Sequence, residues 1–174
     1  LMHFITKTIA GLTAAAGLIS GLPAAAGTYQ EHQQLSAEVR SVGIKVLINP
    51  PICQQREALG WYEPRDSRLV VCQENATGTA EGTGTPEDLD TLRHEAHHLV
   101  QDCMDNALDG QLDSVYESPT ELVKNVLTHE QVLAILKWYD EATDLRKIHE
   151  LEAFSVAQMN NPLEQVADIQ KYCF

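Results

Sequence analysis

Four helix starts in the second part of the chain, each with its own capping chemistry, constrain the fold more than any other feature. Thr85-Pro86-Glu87-Asp88 places a hydroxyl cap, a first-turn proline and two acids where the helix dipole favours negative charge. Ser118-Pro119-Thr120-Glu121, Thr128-His129-Glu130-Gln131 and Asn161-Pro162-Leu163-Glu164 repeat the same grammar. Everything after residue 85 therefore reads as helices. Upstream, Tyr29 to Ser41 has the helical spacing of Leu35 and Val39, and Gly43 to Ile48 reads as a strand stopped by Asn49-Pro50-Pro51. Leu59 to Tyr62 and Arg68 to Cys72 read as two more strands around a turn at Glu63 to Ser67. The expectation is an α+β fold, a small antiparallel β-sheet followed by a helical bundle. Asn75 to Thr85, rich in Gly, Thr and Ala, reads as a flexible connection.

The amino terminus is of another kind. A short basic start around Lys7, an apolar run from Ile9 to Leu22 and the small residues Pro23-Ala24-Ala25-Ala26-Gly27 have the anatomy of a signal peptide cleaved after Ala26. Residues 1–26 are then a leader and residues 27–174 one domain. Cys53, Cys72, Cys103 and Cys173 would travel to an oxidising compartment, where two disulfides are expected. Three pairings are open. The preferred one joins Cys53 to Cys72, clipping the sheet, and Cys103 to Cys173, tying the chain's end to the helix that starts at Thr85. The net charge of −13 disfavours nucleic acid and anionic membranes as partners. The leader holds Lys7 and no acid, so its removal makes the remainder one charge more negative. The expected product is a secreted or periplasmic monomer with no membrane attachment.

Inside the helix that starts at Thr85, His94, Glu95 and His98 form an H-E-x-x-H pattern. Residues four apart stand one turn above each other, so two imidazoles can converge on one metal ion. Glu95 then lies near the open coordination position, where it can take a proton from water. The chemistry points to zinc and to hydrolysis of peptide bonds. Leu89, Leu92, Ala96, Leu99 and Cys103 share one stripe of that helix, and His94, His98 and Gln101 a neighbouring one.

Catalytic zinc usually has three protein ligands. The third histidine of metzincins is excluded, because Met104 and Gln101 stand where that class has its histidine and glycine. Ile148, Leu151, Glu152, Ser155, Val156 and Met159 follow a single helical face on which only the glutamate is charged. A carboxylate among core residues calls for a cation, so Glu152 is the expected third ligand. Glu150 falls off that stripe, toward solvent. Tyr139 and His149 are candidates to donate a hydrogen bond to an oxyanion. His97 is expected away from the metal, and Trp61 and Trp138 in packing roles.

The H-E-x-x-H helix followed by Glu150-Leu151-Glu152-Ala153-Phe154 resembles gluzincin-type metallopeptidases of the zincin fold, over roughly Arg68 to Met159. Glu152-Ala153 with Ala157 is also similar to the third-ligand helix of ImmA/IrrE-type peptidases. The resemblance implies a protein or peptide substrate paired with an edge strand, the place Arg68 to Cys72 takes in chain order. Gly110-Gln111-Leu112-Asp113-Ser114-Val115-Tyr116 is similar to the signature of deuterolysin-like aspzincins and makes Asp113 the alternative ligand. A second functional reading is an exported protein that holds a metal or a partner without turnover.

Overall fold

The computed structural model describes residues 27–75, 85–105 and 108–174. The proposed leader and most of the 75–85 connection lie outside the described residues. The element order is α1 (Tyr29–Ser41), β1 (Lys45–Ile48), β2 (Gly60–Glu63), β3 (Arg68–Val71), α2 (Pro86–Asp102), α3 (Pro119–Val126), α4 (His129–Trp138), α5 (Asp144–Met159) and α6 (Pro162–Tyr172). The fold class is α+β.

Capping chemistry sets the helix starts. Thr28 with Glu31, Thr85 with Asp88, Thr128 with Gln131 and Asn161 with Glu164 each form a reciprocal capping box. Each cap contributes about 1 kcal/mol. Ser118 precedes α3 but makes no side-chain cap bond. Thr143, whose hydroxyl accepts from the Arg146 amide, starts α5 at a position the sequence reading did not mark.

The sheet is mixed rather than antiparallel. Its strand order is β1-β3-β2, with β1 parallel and β2 antiparallel to β3. The reason lies in the β1–β2 connection: Asn49-Pro50-Pro51 ends β1, and a 3-10 turn over Pro51–Gln55 carries the chain past β3 before it returns as β2. The unbroken apolar run Leu69-Val70-Val71, all buried, suits the central strand, which is covered on both faces. An edge role for β3 is thereby ruled out. The strand with an open side next to α2 is β2, which pairs only with β3 among the described strands.

The core gathers around α2. Leu92, Ala96, Leu99 and Val100 pack with Leu35 and Val39 of α1, Leu69 and Val71 of β3 and Ile169 of α6. Cys53–Cys72 joins the 3-10 turn to the residue after β3, and Cys103–Cys173 ties the end of α2 to the end of α6, as expected. Among the described residues no helix is long and apolar enough to cross a membrane. Two disulfides fit a protein of an extracellular, oxidising environment.

Candidate metal centre

From Leu92 to Asp102 every residue of α2 is buried, although this run includes Arg93, His94, Glu95, His97, His98, Gln101 and Asp102. So many buried polar side chains on one helix demand partners. Tyr62 donates to Asp102 at 2.7 Å. Arg93 donates to the Ala157 carbonyl at 2.9 Å and meets His32 Nε2 at 2.8 Å. The remaining polar groups face α5, and they divide into two sets.

The first set is a potential metal cage. His94 Nε2 and His98 Nε2 are 3.1 Å apart, and Glu150 Oε2 stands 3.2 Å from the first and 3.3 Å from the second. Tetrahedral zinc with bonds of 2.0–2.1 Å separates its ligand atoms by about 3.3–3.4 Å, so the spacing of these three atoms fits that ion. Glu95 puts a carboxylate oxygen within 4.8 Å of both histidines. The cluster is buried and could hold a metal ion. Phe154 backs it, its ring centroid 4.3 Å from that of His94.

The second set contains Glu152, and here the expectation is corrected. Glu152 Oε1 accepts from His97 Nε2 at 2.9 Å, from Gln101 Nε2 at 3.0 Å and from the Val115 amide at 3.0 Å. Its Oε1 is thus engaged by His97, Gln101 and Val115, and the carboxylate that stands beside the His94–His98 pair is that of Glu150. Of the face expected to be buried, Glu152, Ser155 and Val156 are buried, but its ends Ile148 and Met159 are 39% and 38% exposed. The side that packs runs through His149, Glu150, Glu152, Ala153, Val156 and Ala157.

Asp113 is exposed, and the structure does not bring it into the cage. Its amide donates to the Gln101 carbonyl at 3.0 Å, which pins the loop before α3 onto α2. Of the two oxyanion candidates, Tyr139 lies beside the site, where Glu150 and Glu95 act on its buried phenol. His149 is buried on the Glu152 side, where its carbonyl accepts from Gln101 at 3.2 Å. Trp61 is core as expected, while Trp138 is 42% exposed and lies 6.3 Å from Phe154, centroid to centroid.

The electrostatics favour positive charge between the ligands. Burial pushes Glu150 up, but His98, His94 and Arg146 outweigh it and hold the carboxyl well below its usual range. Burial lowers His98, yet Glu150 and Glu95 more than reverse this and raise it. For Glu95 burial is the largest effect and the pKa is raised, against the opposing pull of His94 and His98. Burial likewise leads in keeping the Tyr139 phenol protonated far above its ordinary range, with Glu150 and Glu95 adding to it.

Three residues of this neighbourhood went unassigned in the sequence reading. Arg146, one turn before Glu150, forms an ion pair with Glu150 Oε1, legible as an i,i+4 pair once α5 is placed. Gln101 Oε1 lies 2.7 Å from His98 Nδ1, and its place on the histidine stripe was the available signal. Gly60 of β2 sits so close that an added Cβ would lie 2.5 Å from Thr91 Cγ2, 2.7 Å from the Val70 carbonyl and 3.4 Å from Glu95 Cγ. No periodicity in the sequence marks such a contact. An apolar groove between α3, α4 and α5, lined by Val123, Leu127, Val132 and Leu151 among others, contains none of the cage residues.

The chain belongs to the family described as a domain of unknown function, DUF8637, whose model matches residues 28–174. No curated protein and no solved structure matches it.

Proposed function

We propose that this chain is a zinc-dependent peptidase, secreted or periplasmic after removal of its leader, in which His94, His98 and Glu150 hold the metal. The observation that carries the proposal is the mutual 3.1–3.3 Å spacing of two imidazole nitrogens and one carboxylate oxygen, beside the carboxylate of Glu95. Zinc bound there would supply Lewis acidity that lowers the pKa of water and polarises a carbonyl. Glu95, with its raised pKa, is suited to take the proton of the attacking water and return it to the leaving amine. Tyr139, kept protonated, donates a hydrogen bond to the carbonyl oxygen as negative charge develops on it. Arg146 pairs with the outer oxygen of Glu150 and adds to the pull of His98 and His94 that offsets burial and lowers its pKa.

Substrate would enter along β2. Gly60 brings this strand against Thr91 and Glu95, and an extended peptide added to the open side would run past the general base. The acidic surface favours cationic segments of an unfolded protein. Elemental analysis of the purified protein, followed by casein digestion with and without chelator, tests the proposal. Stoichiometric zinc with chelator-sensitive cleavage supports it, and a metal-loaded protein that cleaves nothing replaces it with metal binding alone.

A further inference from the structure

His98 and Glu152 are connected through one side chain. Gln101 Oε1 lies 2.7 Å from His98 Nδ1, while Gln101 Nε2 is 3.0 Å from Glu152 Oε1 and 3.2 Å from the His149 carbonyl. Both neighbours of that amide nitrogen are acceptors only. Flipping the amide would set its oxygen against two oxygens, so the orientation is settled by the surroundings. Gln101 Oε1 must then receive its proton from His98, which makes Nδ1 the protonated nitrogen. In the neutral ring the Nε2 lone pair is then left facing His94 Nε2 and Glu150 Oε2.

Glu152 keeps this arrangement in place. It is fully buried, and one oxygen accepts three N–H groups, from His97 of α2, Gln101 of α2 and Val115 of the following loop. The three donors meet on one oxygen, Glu152 Oε1, which fixes the side chain between α2 and the following loop. By accepting from the Gln101 amide, Glu152 polarises it, and Gln101 passes that polarisation to the His98 N–H. A buried carboxylate is expensive if it serves only as packing.

We infer that Gln101 and Glu152 are positioning residues that lock His98 in its Nδ1–H tautomer and aim its Nε2 lone pair at the metal. The inference rests on the reading of His98 as a ligand, and it extends that reading to two residues that touch no metal. Hydrogen bonds of this kind to ligating imidazoles change metal affinity by about 10–100-fold.

Two measurements test it. In the metal-free protein, at a pH where His98 is neutral, its nitrogen-15 shifts report the tautomer directly. The Nδ1–H form is expected, against the Nε2–H preference of a free histidine side chain. An Nε2–H form overturns the inference without any variant being made. Next, zinc dissociation constants are compared by chelator competition for the parent, Gln101→Met and Gln101→Glu. The methionine variant is expected to bind about 10–100-fold more weakly. The glutamate variant, which keeps an acceptor for the His98 N–H and, with a proton on its other oxygen, a donor for Glu152, is expected to recover most of that loss even where its melting temperature is lower. Parent-like affinity in Gln101→Met overturns the inference and leaves the zinc reading standing. A parent that binds no zinc while its His98 tautomer is locked removes the zinc reading and overturns the inference with it, leaving only the hydrogen-bond lock on the ring. If Gln101→Met does not fold, the tautomer measurement and Gln101→Glu still decide.

Discussion

His94 and His98 bring their Nε2 atoms to 3.1 Å with the two rings nearly perpendicular, at 88°. One helical turn accounts for the approach, but not for its electrostatics. Two nitrogen lone pairs at that distance repel unless a proton or a cation lies between them, and Glu150 Oε2 at 3.2 and 3.3 Å strengthens the demand for positive charge. The predictions about metal and catalysis follow from this triangle.

Glu95→Gln keeps the size of the side chain and removes its basicity. Zinc content should stay near that of the parent while casein cleavage falls by about 10²–10⁴-fold, the usual contribution of a general base. Equal cleavage rates would show that Glu95 is not the base.

Glu150→Ala removes a ligand, so its zinc affinity should fall further than the roughly 10–100-fold expected for a residue that only orients one. Asp113→Ala, altering an exposed loop acid, should leave affinity unchanged. Titration of all three proteins against a zinc-competing chelator ranks them, and a larger loss at residue 113 than at residue 150 would reverse the assignment of the cage.

His32 links α1 to the metal helix and should make stability depend on pH. Its Nδ1 donates to the Thr28 carbonyl at 2.8 Å and its Nε2 meets Arg93 Nη1 at 2.8 Å, so the ring must be neutral to accept from the guanidinium. Burial is the main cause of its lowered pKa; Arg93 pushes the same way, and the Thr28 carbonyl, Glu31 and Asp90 oppose it. The unfolded chain, with the ordinary value of 6.5, takes up the proton first as pH falls. Stability from this group is therefore complete above about pH 6.5 and is lost progressively below it. Urea midpoints measured from neutral pH down to pH 5 should fall in the parent and fall less steeply in His32→Gln; identical slopes would remove His32 as the cause.

Gly60→Ala tests the closeness of β2 to α2. The new methyl would meet Thr91 Cγ2 at 2.5 Å and the Val70 carbonyl at 2.7 Å, and the latter belongs to a paired strand that cannot yield. The expected cost is about 1–3 kcal/mol of overpacking. Thermal unfolding should show a clearly lower midpoint, and an unchanged one would mean that β2 stands farther from α2 than described.

The Cys103–Cys173 bridge closes a loop with a sequence separation of 70, against 19 for Cys53–Cys72. Loop-closure entropy makes the longer bridge worth more, about 4 kcal/mol against about 3. Replacing Cys103 and Cys173 together by Ala should therefore lower the denaturant midpoint more than replacing Cys53 and Cys72. The reverse order would place the main constraint in the sheet.

The sequence by itself determined the features that rest on local chemistry. Thr85, Thr128 and Asn161 cap helices where they were expected to, because a cap involves only three or four consecutive residues. His94 and His98 converge for the same reason, as one turn of helix brings them together whatever surrounds it. The pairing of Cys53 with Cys72 and Cys103 with Cys173 was preferred, though not determined, before the fold was known. What only the tertiary structure decided depends on how elements cross. The parallel partnership of β1 with β3 is set by the path of the connection after Asn49, which leaves no periodic trace. That Glu150, and not Glu152, meets His94 and His98 is set by which side of α5 faces α2. Both carboxylates are buried, because α2 presents His94 and His98 to one and His97 and Gln101 to the other. Hydrophobic spacing finds the buried side of a helix only when burial and apolarity coincide, and around a polar, enclosed site they do not.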